Sequence, residues 1–239
     1  MDKYLRSIDD EFKGCKSKIY QRIKSGNLEQ ELQNNLSFRT AWEDTKYELY
    51  LADKKNYQLT NDDLRKIAVR AYTLNTYRQL NNKMRYGLCD YRTDFGLTSL
   101  HFLITDAIQT LNPQGKCETT YRFSRDHFKI KSKFVRFGSF TSSTRDPTLG
   151  SEFGRETCFV ITTCHGAHIA PISAYPKEDE VLIPPYERFI KKPLPVGFRK
   201  HNEHLKDCGT ILKLESVGKV SKMKCDLVKF KPKYPICNL

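Results

Sequence analysis

The sequence contains no stretch near the roughly 20 consecutive apolar residues that a membrane-spanning helix needs. Glycine, at 12 residues, and proline, at 10, are too sparse for a fibrous or low-complexity chain. No Cys-x-x-Cys pair occurs, so the usual zinc-finger spacing is missing. No internal repeat is visible. The opening Met1-Asp2-Lys3-Tyr4 starts no signal peptide, and the sequence closes without an apolar tail for a lipid anchor. Acids are in deficit: 28 Asp and Glu stand against 41 Lys and Arg, a net charge of +13.

Against these absences, 239 residues with 38% hydrophobic and 12% aromatic side chains suffice for one large core or two small ones. Eight dispersed cysteines suit disulfides in an oxidising compartment. The sequon Asn35-Leu36-Ser37 is compatible with secretion. Residues 191–239 hold 12 basic and 4 acidic residues, so an anionic partner or surface has to be weighed. Nucleic acid is not expected, because the basic residues are scattered and no recognition motif accompanies them. The pair in His201-Asn202-Glu203-His204 lacks further ligands and is not read as a metal site.

Helical spacing runs over 15–23, 28–36, 62–84 and 97–111, with Thr60 or Asn61 as a cap. Asn112-Pro113-Gln114-Gly115 ends the helical part. Short β-rich runs follow at 118–123, 134–140, 157–163, 167–172, 181–183, 186–190, 210–217 and 225–230, with a loop from 191 to about 207. Helices first and strands after predict an α+β fold. We expect a helical lobe over 1–112 and a β-rich lobe over 113–239, integrated in one domain.

Three features carry chemistry. Glu178-Asp179-Glu180 leads into the apolar run Val181-Leu182-Ile183, and period 2 would put Glu178 and Glu180 on one side. Two such carboxylates can divide the work of steadying a cation and deprotonating a nucleophile; a solvated acidic turn is the plainer alternative. Phe140-Thr141-Ser142-Ser143-Thr144 ends an aromatic strand in hydroxyls, which serve either ligand binding or turn formation. Arg122 stands in an otherwise uncharged β run, so it needs an anion, either phosphate or an internal acid.

Taken together, this order of Arg, Ser and Glu-x-Glu resembles the signature of the arginine-specific ecto-mono-ADP-ribosyltransferases. The likeness extends over about residues 9–230 and includes Ala71-Tyr72-Thr73, Ser99-Leu100-His101-Phe102-Leu103, Phe153-Gly154 and Glu180-Val181-Leu182-Ile183-Pro184-Pro185-Tyr186-Glu187. It implies the ADP-ribosyltransferase fold, a helical N-terminal lobe on a two-sheet β core with a central NAD cleft. It also implies transfer of ADP-ribose from NAD to arginine side chains, with no metal. By resemblance, Arg122 clamps the NAD phosphates, Ser142 positions the catalytic carboxylate, Glu180 is that carboxylate, and Glu178 faces the incoming guanidinium. Tyr72, Gly138 and Ser173 line the NAD site, and Phe153 stacks on nicotinamide. Cys15–Cys225 and Cys117–Cys164 are the implied disulfides; Cys89, Cys158, Cys208 and Cys237 stay unassigned. The expected partners are acceptor proteins with exposed arginine, met by a monomer outside the cell or at its surface, with any membrane contact made through a lipid anchor. Phe123 departs from the family, which usually has glycine after the signature arginine. NAD hydrolysis, or a binding module with weakened catalysis, is the alternative reading.

Overall fold

The computed structural model describes residues 4, 6–50, 58–228, 234 and 237. Helices α1 (Lys16–Arg22) and α2 (Leu28–Asn34) are joined by a wide turn, Ile23–Asn27, where Gly26 takes φ 108°. Helix α3 (Leu36–Tyr50) lies largely beyond the predicted segments. Its buried stripe of Phe38, Ala41 and Trp42 is blurred in sequence by the exposed Leu36, Tyr47 and Leu49.

The predicted helix over 62–84 is two helices, α4 (Asn61–Ala71) and α5 (Tyr77–Tyr86), around the wide turn Tyr72–Thr76. Thr60 and Asp63 form a reciprocal capping box at the start of α4, with hydrogen bonds of 2.8 and 3.2 Å. Helix α6 (Thr98–Leu111) is buried from Ser99 to Ile108. Its first amides are met by the buried carboxylate of Glu31, which accepts from Thr98 N at 2.8 Å and Ser99 N at 3.0 Å. An anion there answers both the orphan donors and the helix dipole.

The strands are β1 (Glu118–Ser124), β2 (Phe134–Val135), β3 (Thr141–Thr144), β4 (Thr157–Thr163), β5 (Ala167–His168), β6 (Glu180–Ile183), β7 (Glu187–Lys192) and β8 (Thr210–Lys219), with a short helix α7 (Gly150–Phe153) before β4. They form one mixed sheet in the order β2-β7-β8-β4-β1-β3-β6-β5. Where two facing sheets are expected, the ladder is continuous, but its halves meet through a single pair, Tyr121 with Thr144. The β1–β4 ladder, by contrast, pairs every residue from 118 to 124.

Two predicted strands are cut short. The 134–140 run yields only β2, because Gly138 turns the chain at φ 74°. The 167–172 run yields β5 and then a 3-10 turn containing Pro171, which cannot donate to a ladder. The predicted 225–230 strand is not one: 225–228 form a turn, with Cys225 at φ 63°, and 229–230 lie outside the described residues. The amides of Cys225 and Asp226 are committed to the Asp10 carboxylate, at 3.0 and 2.9 Å, rather than to a neighbouring strand. Asp9 likewise accepts from Lys222 N at 2.8 Å and pairs with Arg136.

The largest core packs all the long helices against Phe140, Ala167, Ile169 and Leu182, so it draws on both sides of residue 112. A second core holds Phe137, Phe159, Phe189 and Leu212. A third, on the other face of the sheet, gathers Phe123, Val160, Leu205 and Ile211, with Leu194 and Phe198 from the loop after β7 laid over them. Four disulfides tie the chain: Cys15–Cys225 and Cys117–Cys164, the two pairs that the resemblance implies, with Cys89–Cys237 and Cys158–Cys208.

Candidate active site

The weak seam of the sheet is where the site lies. Arg122 on β1, Ser142 on β3 and Glu180 at the start of β6 all line one cleft of about 640 Å³, walled on another side by Tyr72 and α5. Period-2 alternation sends Arg122 to this side of β1 and its neighbours Tyr121 and Phe123 toward the outer core. The Arg122 guanidinium donates from Nη1 to Ser142 O at 2.8 Å, stapling β1 to β3 beside their single bridge. Its burial lowers its pKa, and the nearby Arg85 acts the same way, while Glu180 opposes both.

Glu180 is 4% exposed. Burial pushes its carboxyl up to about 7, Glu178 adds to that, and the Ser142 hydroxyl and Arg122 pull it back. Ser142 therefore touches Arg122 through its carbonyl and, through its hydroxyl, the Glu180 carboxylate that it is expected to position. Tyr72 is fully buried in the wide turn, and its hydroxyl accepts from Asn81 Nδ2 at 3.0 Å. Wide turns of this kind often mark functional positions.

Glu178 reaches the same cleft, but not by strand alternation. It ends the 3-10 turn Pro176–Glu178, and Asp179 follows in the left-handed region at φ 43°. That residue sends its own carboxylate to His168 Nε2 at 2.7 Å and swings Glu178 and Glu180 toward one another. Burial, then the charge of Glu152, raises the Glu178 carboxyl. The segment ahead of it is latched to α4 and the wide turn. Arg70 Nη1 donates to Ser173 O at 2.8 Å, and Ala174 N donates to Thr73 Oγ1 at 2.9 Å.

Phe153, 41% exposed at the end of α7, lines the cleft, as does the half-exposed Tyr175. Gly138 and Ser173, both expected in the NAD site, are not among the residues lining it. A Cβ on Gly138 would meet the Tyr4 ring at 2.5 Å, so that glycine is a packing requirement. Ser173 is buried, with its hydroxyl accepting from Tyr175 N at 3.0 Å. Phe123 borders the cleft, but its ring packs in the outer core against Gly150, where a Cβ would lie 2.6 Å from it. Tyr77, Asn81 and Arg85 line the cleft from α5 as well, three residues beyond those that the motifs single out. Their i, i+4, i+8 spacing was the available signal. Among the described residues no group of three His, Cys, Asp or Glu is arranged to hold a metal ion.

The family described as NAD:arginine ADP-ribosyltransferase matches residues 1–219. The chain belongs to this family. The chicken (Gallus gallus) NAD(P)(+)–arginine ADP-ribosyltransferase 2 is 33% identical over 242 residues, 96% of this chain and 73% of that protein. The mouse (Mus musculus) T-cell ecto-ADP-ribosyltransferase 1 is 34% identical over 202 residues, 80% of this chain and 68% of that one. Among solved structures, the eucaryotic mono-ADP-ribosyltransferase ART2.2 superposes with a TM-score of 0.75 at 25% identity, covering 95% of this chain and 98% of its own. A variant of ART2.2 in complex with NADH gives 0.78 at 26% identity, covering 94% of this chain and 97% of that one. The α+β architecture described above is thus the ADP-ribosyltransferase fold.

Proposed function

We propose that this ADP-ribosyltransferase transfers ADP-ribose from NAD to arginine side chains of acceptor proteins and releases nicotinamide. The observation that carries the reading is the meeting of Arg122, Ser142 and Glu180 in one cleft, with Glu178 beside them. Arg122 holds the donor diphosphate, for which a guanidinium fork is suited. Tyr72 and Phe153 supply aromatic walls, Phe153 against the nicotinamide ring.

Breaking the bond between nicotinamide and ribose leaves positive charge on the sugar, and the departing nicotinamide takes the bonding pair. Ionised Glu180 offsets that charge and holds the ribose hydroxyl, with Ser142 fixing its orientation. The acceptor nitrogen then bonds to the sugar carbon. A guanidinium has a pKa above 12 and is a poor nucleophile, so Glu178 takes its proton as the new bond forms. Because the Phe123 ring is engaged in the outer core, the departure from glycine leaves this chemistry room to proceed. Four disulfides suit an oxidising compartment, and the mouse relative named above is an ecto-enzyme by name; we place this chain outside the cell or at its surface.

The test is nicotinamide release from NAD by oxidised wild type and Glu180→Gln, each with and without agmatine as an arginine mimic. Release that agmatine stimulates and the substitution abolishes is the expected result. Release indifferent to agmatine would make the protein an NAD glycohydrolase. No release by the wild type would overturn the reading in favour of a binding module.

A further inference from the structure

Glu178 and Glu180 are held in the cleft by different means. The Glu180 carboxylate takes the Ser142 hydroxyl directly. Among the described residues the Glu178 carboxylate makes no hydrogen bond. Its place is set by the backbone that carries it, and that backbone turns at Asp179, at φ 43° and ψ 47°. A residue with a Cβ adopts this left-handed conformation at a cost, so contacts nearby have to secure it. Three bonds do so. Asp179 N donates to Pro176 O at 3.3 Å, and Arg145 N donates to Asp179 O at 3.1 Å. The third is made by the side chain, where His168 Nε2 donates to Asp179 Oδ1 at 2.7 Å. The Arg145 guanidinium senses the charge of Asp179 but is committed to Glu118, at 2.6 Å. Among the described residues His168 is thus the one side chain that bonds the Asp179 carboxylate.

The anchor for that bond is rigid. His168 lies on β5 and faces Val181 of β6 in the ladder, and the next residue, Ile169, donates its N to Glu180 O at 2.9 Å. Ala167 and Ile169, on either side, are buried in the main core. The short strand therefore grips the main chain of Glu180 and Val181 and reaches past them with one imidazole. The His168 and Asp179 side chains are 28% and 42% exposed. A pair so open to water adds little to stability. Its consequence is local: it fixes the turn between two carboxylates and draws the middle acid aside, for Asp179, unlike Glu178 and Glu180, does not line the cleft.

We infer that His168 is a positioning residue for the acceptor half of the reaction: through Asp179 it fixes the turn that presents Glu178 to the incoming guanidinium. The inference rests on the transferase reading above. Glu180, held by Ser142 and by the backbone of β5, does not depend on this contact, so breaking it uncouples transfer to arginine from cleavage of NAD.

The test compares two steady-state rates of the oxidised full chain: ADP-ribosyl-agmatine formation and, without agmatine, nicotinamide release. The variants are His168→Ala, His168→Gln, Asp179→Gly and the double variant His168→Ala with Asp179→Gly. Glycine holds a left-handed turn without help from a side chain. His168→Ala should lower kcat for agmatine transfer about ten- to a hundredfold, because a small displacement of a general base is enough. KM for NAD and the hydrolysis rate should stay near wild type. His168→Gln, which keeps an N–H donor, should recover part of the transfer. Asp179→Gly should keep most of it, and His168→Ala should cost nothing further in that background. Unchanged transfer in His168→Ala, or an equal fall of both rates, would overturn the inference, as would an undiminished loss in the Asp179→Gly background. Absence of transfer by the wild type would remove the transferase reading, and the inference with it, before any variant is compared.

Discussion

A carboxyl held near neutrality by burial is asked in Glu180 to work as an anion. Its protonation should therefore switch the reaction off: kcat/KM for NAD should rise with pH through about 7, the level to which burial pushes the free enzyme's Glu180. The same shift bears on stability with a definite sign. The folded protein holds this proton more tightly than the unfolded chain does, so the contribution of Glu180 is favourable at pH 5 and is lost as pH rises through about 7. Glu180→Gln, which removes the charge and keeps the shape, should raise Tm by a few degrees at pH 8 and leave it nearly unchanged at pH 5, as thermal melts would reveal. Its activity should fall by two orders of magnitude or more.

Elements set the precision of the site. The Glu178 segment is fastened by Thr73, whose hydroxyl both donates to Arg70 O at 2.9 Å and accepts from Ala174 N at 2.9 Å. Thr73→Val should loosen this turn and lower transfer to agmatine more than hydrolysis of NAD, whereas Thr73→Ser should keep the wild-type ratio; parallel assays of both products decide it. Between α7 and β1, Gly150→Ala should destabilise the protein by about 1–3 kcal/mol through collision with Phe123, and Phe123→Leu should restore part of that loss. Denaturant titration of the double-mutant cycle would measure the coupling.

Much of this was written in the residues. The apolar stripe of α4 and the Thr60 cap announced a helix, and Arg122, with Phe140 through Thr144 and the Glu-x-Glu, announced the cleft. What stayed hidden depends on chain geometry that periodicity does not record. The wide turn at Tyr72–Thr76 interrupts a continuous helical pattern. Asp179 brings its neighbouring glutamates together by a left-handed twist where strand alternation was expected. The 225–228 turn has strand-like composition, but its amides are drawn to Asp10, more than 200 positions earlier.

Over the whole molecule, covalent and ionic ties join the N-terminal segment to distant parts of the chain. Cys15 and Cys225 close a span of 210 residues. A cross-link over so long a span limits the unfolded chain strongly, and replacing both by serine should cost about 3–5 kcal/mol, lowering Tm by roughly 10 °C in a melt. The buried Asp9–Arg136 pair adds a second tie, and Asp9→Ala should destabilise by about 3–5 kcal/mol because it strands the guanidinium.

The double clamp of Asp9 and Asp10 on residues 222–226 also orders events in time. At about 5–20 residues per second, a ribosome needs roughly 10–40 s to travel from one side of this clamp to the other. Throughout that interval the Cys15 thiol is already made and its partner does not exist, while Cys89, Cys117, Cys158, Cys164 and Cys208 emerge one after another as rivals. The native Cys15–Cys225 pair therefore forms late, and the yield of active protein should depend on a thiol–disulfide isomerase that can undo an early wrong bond.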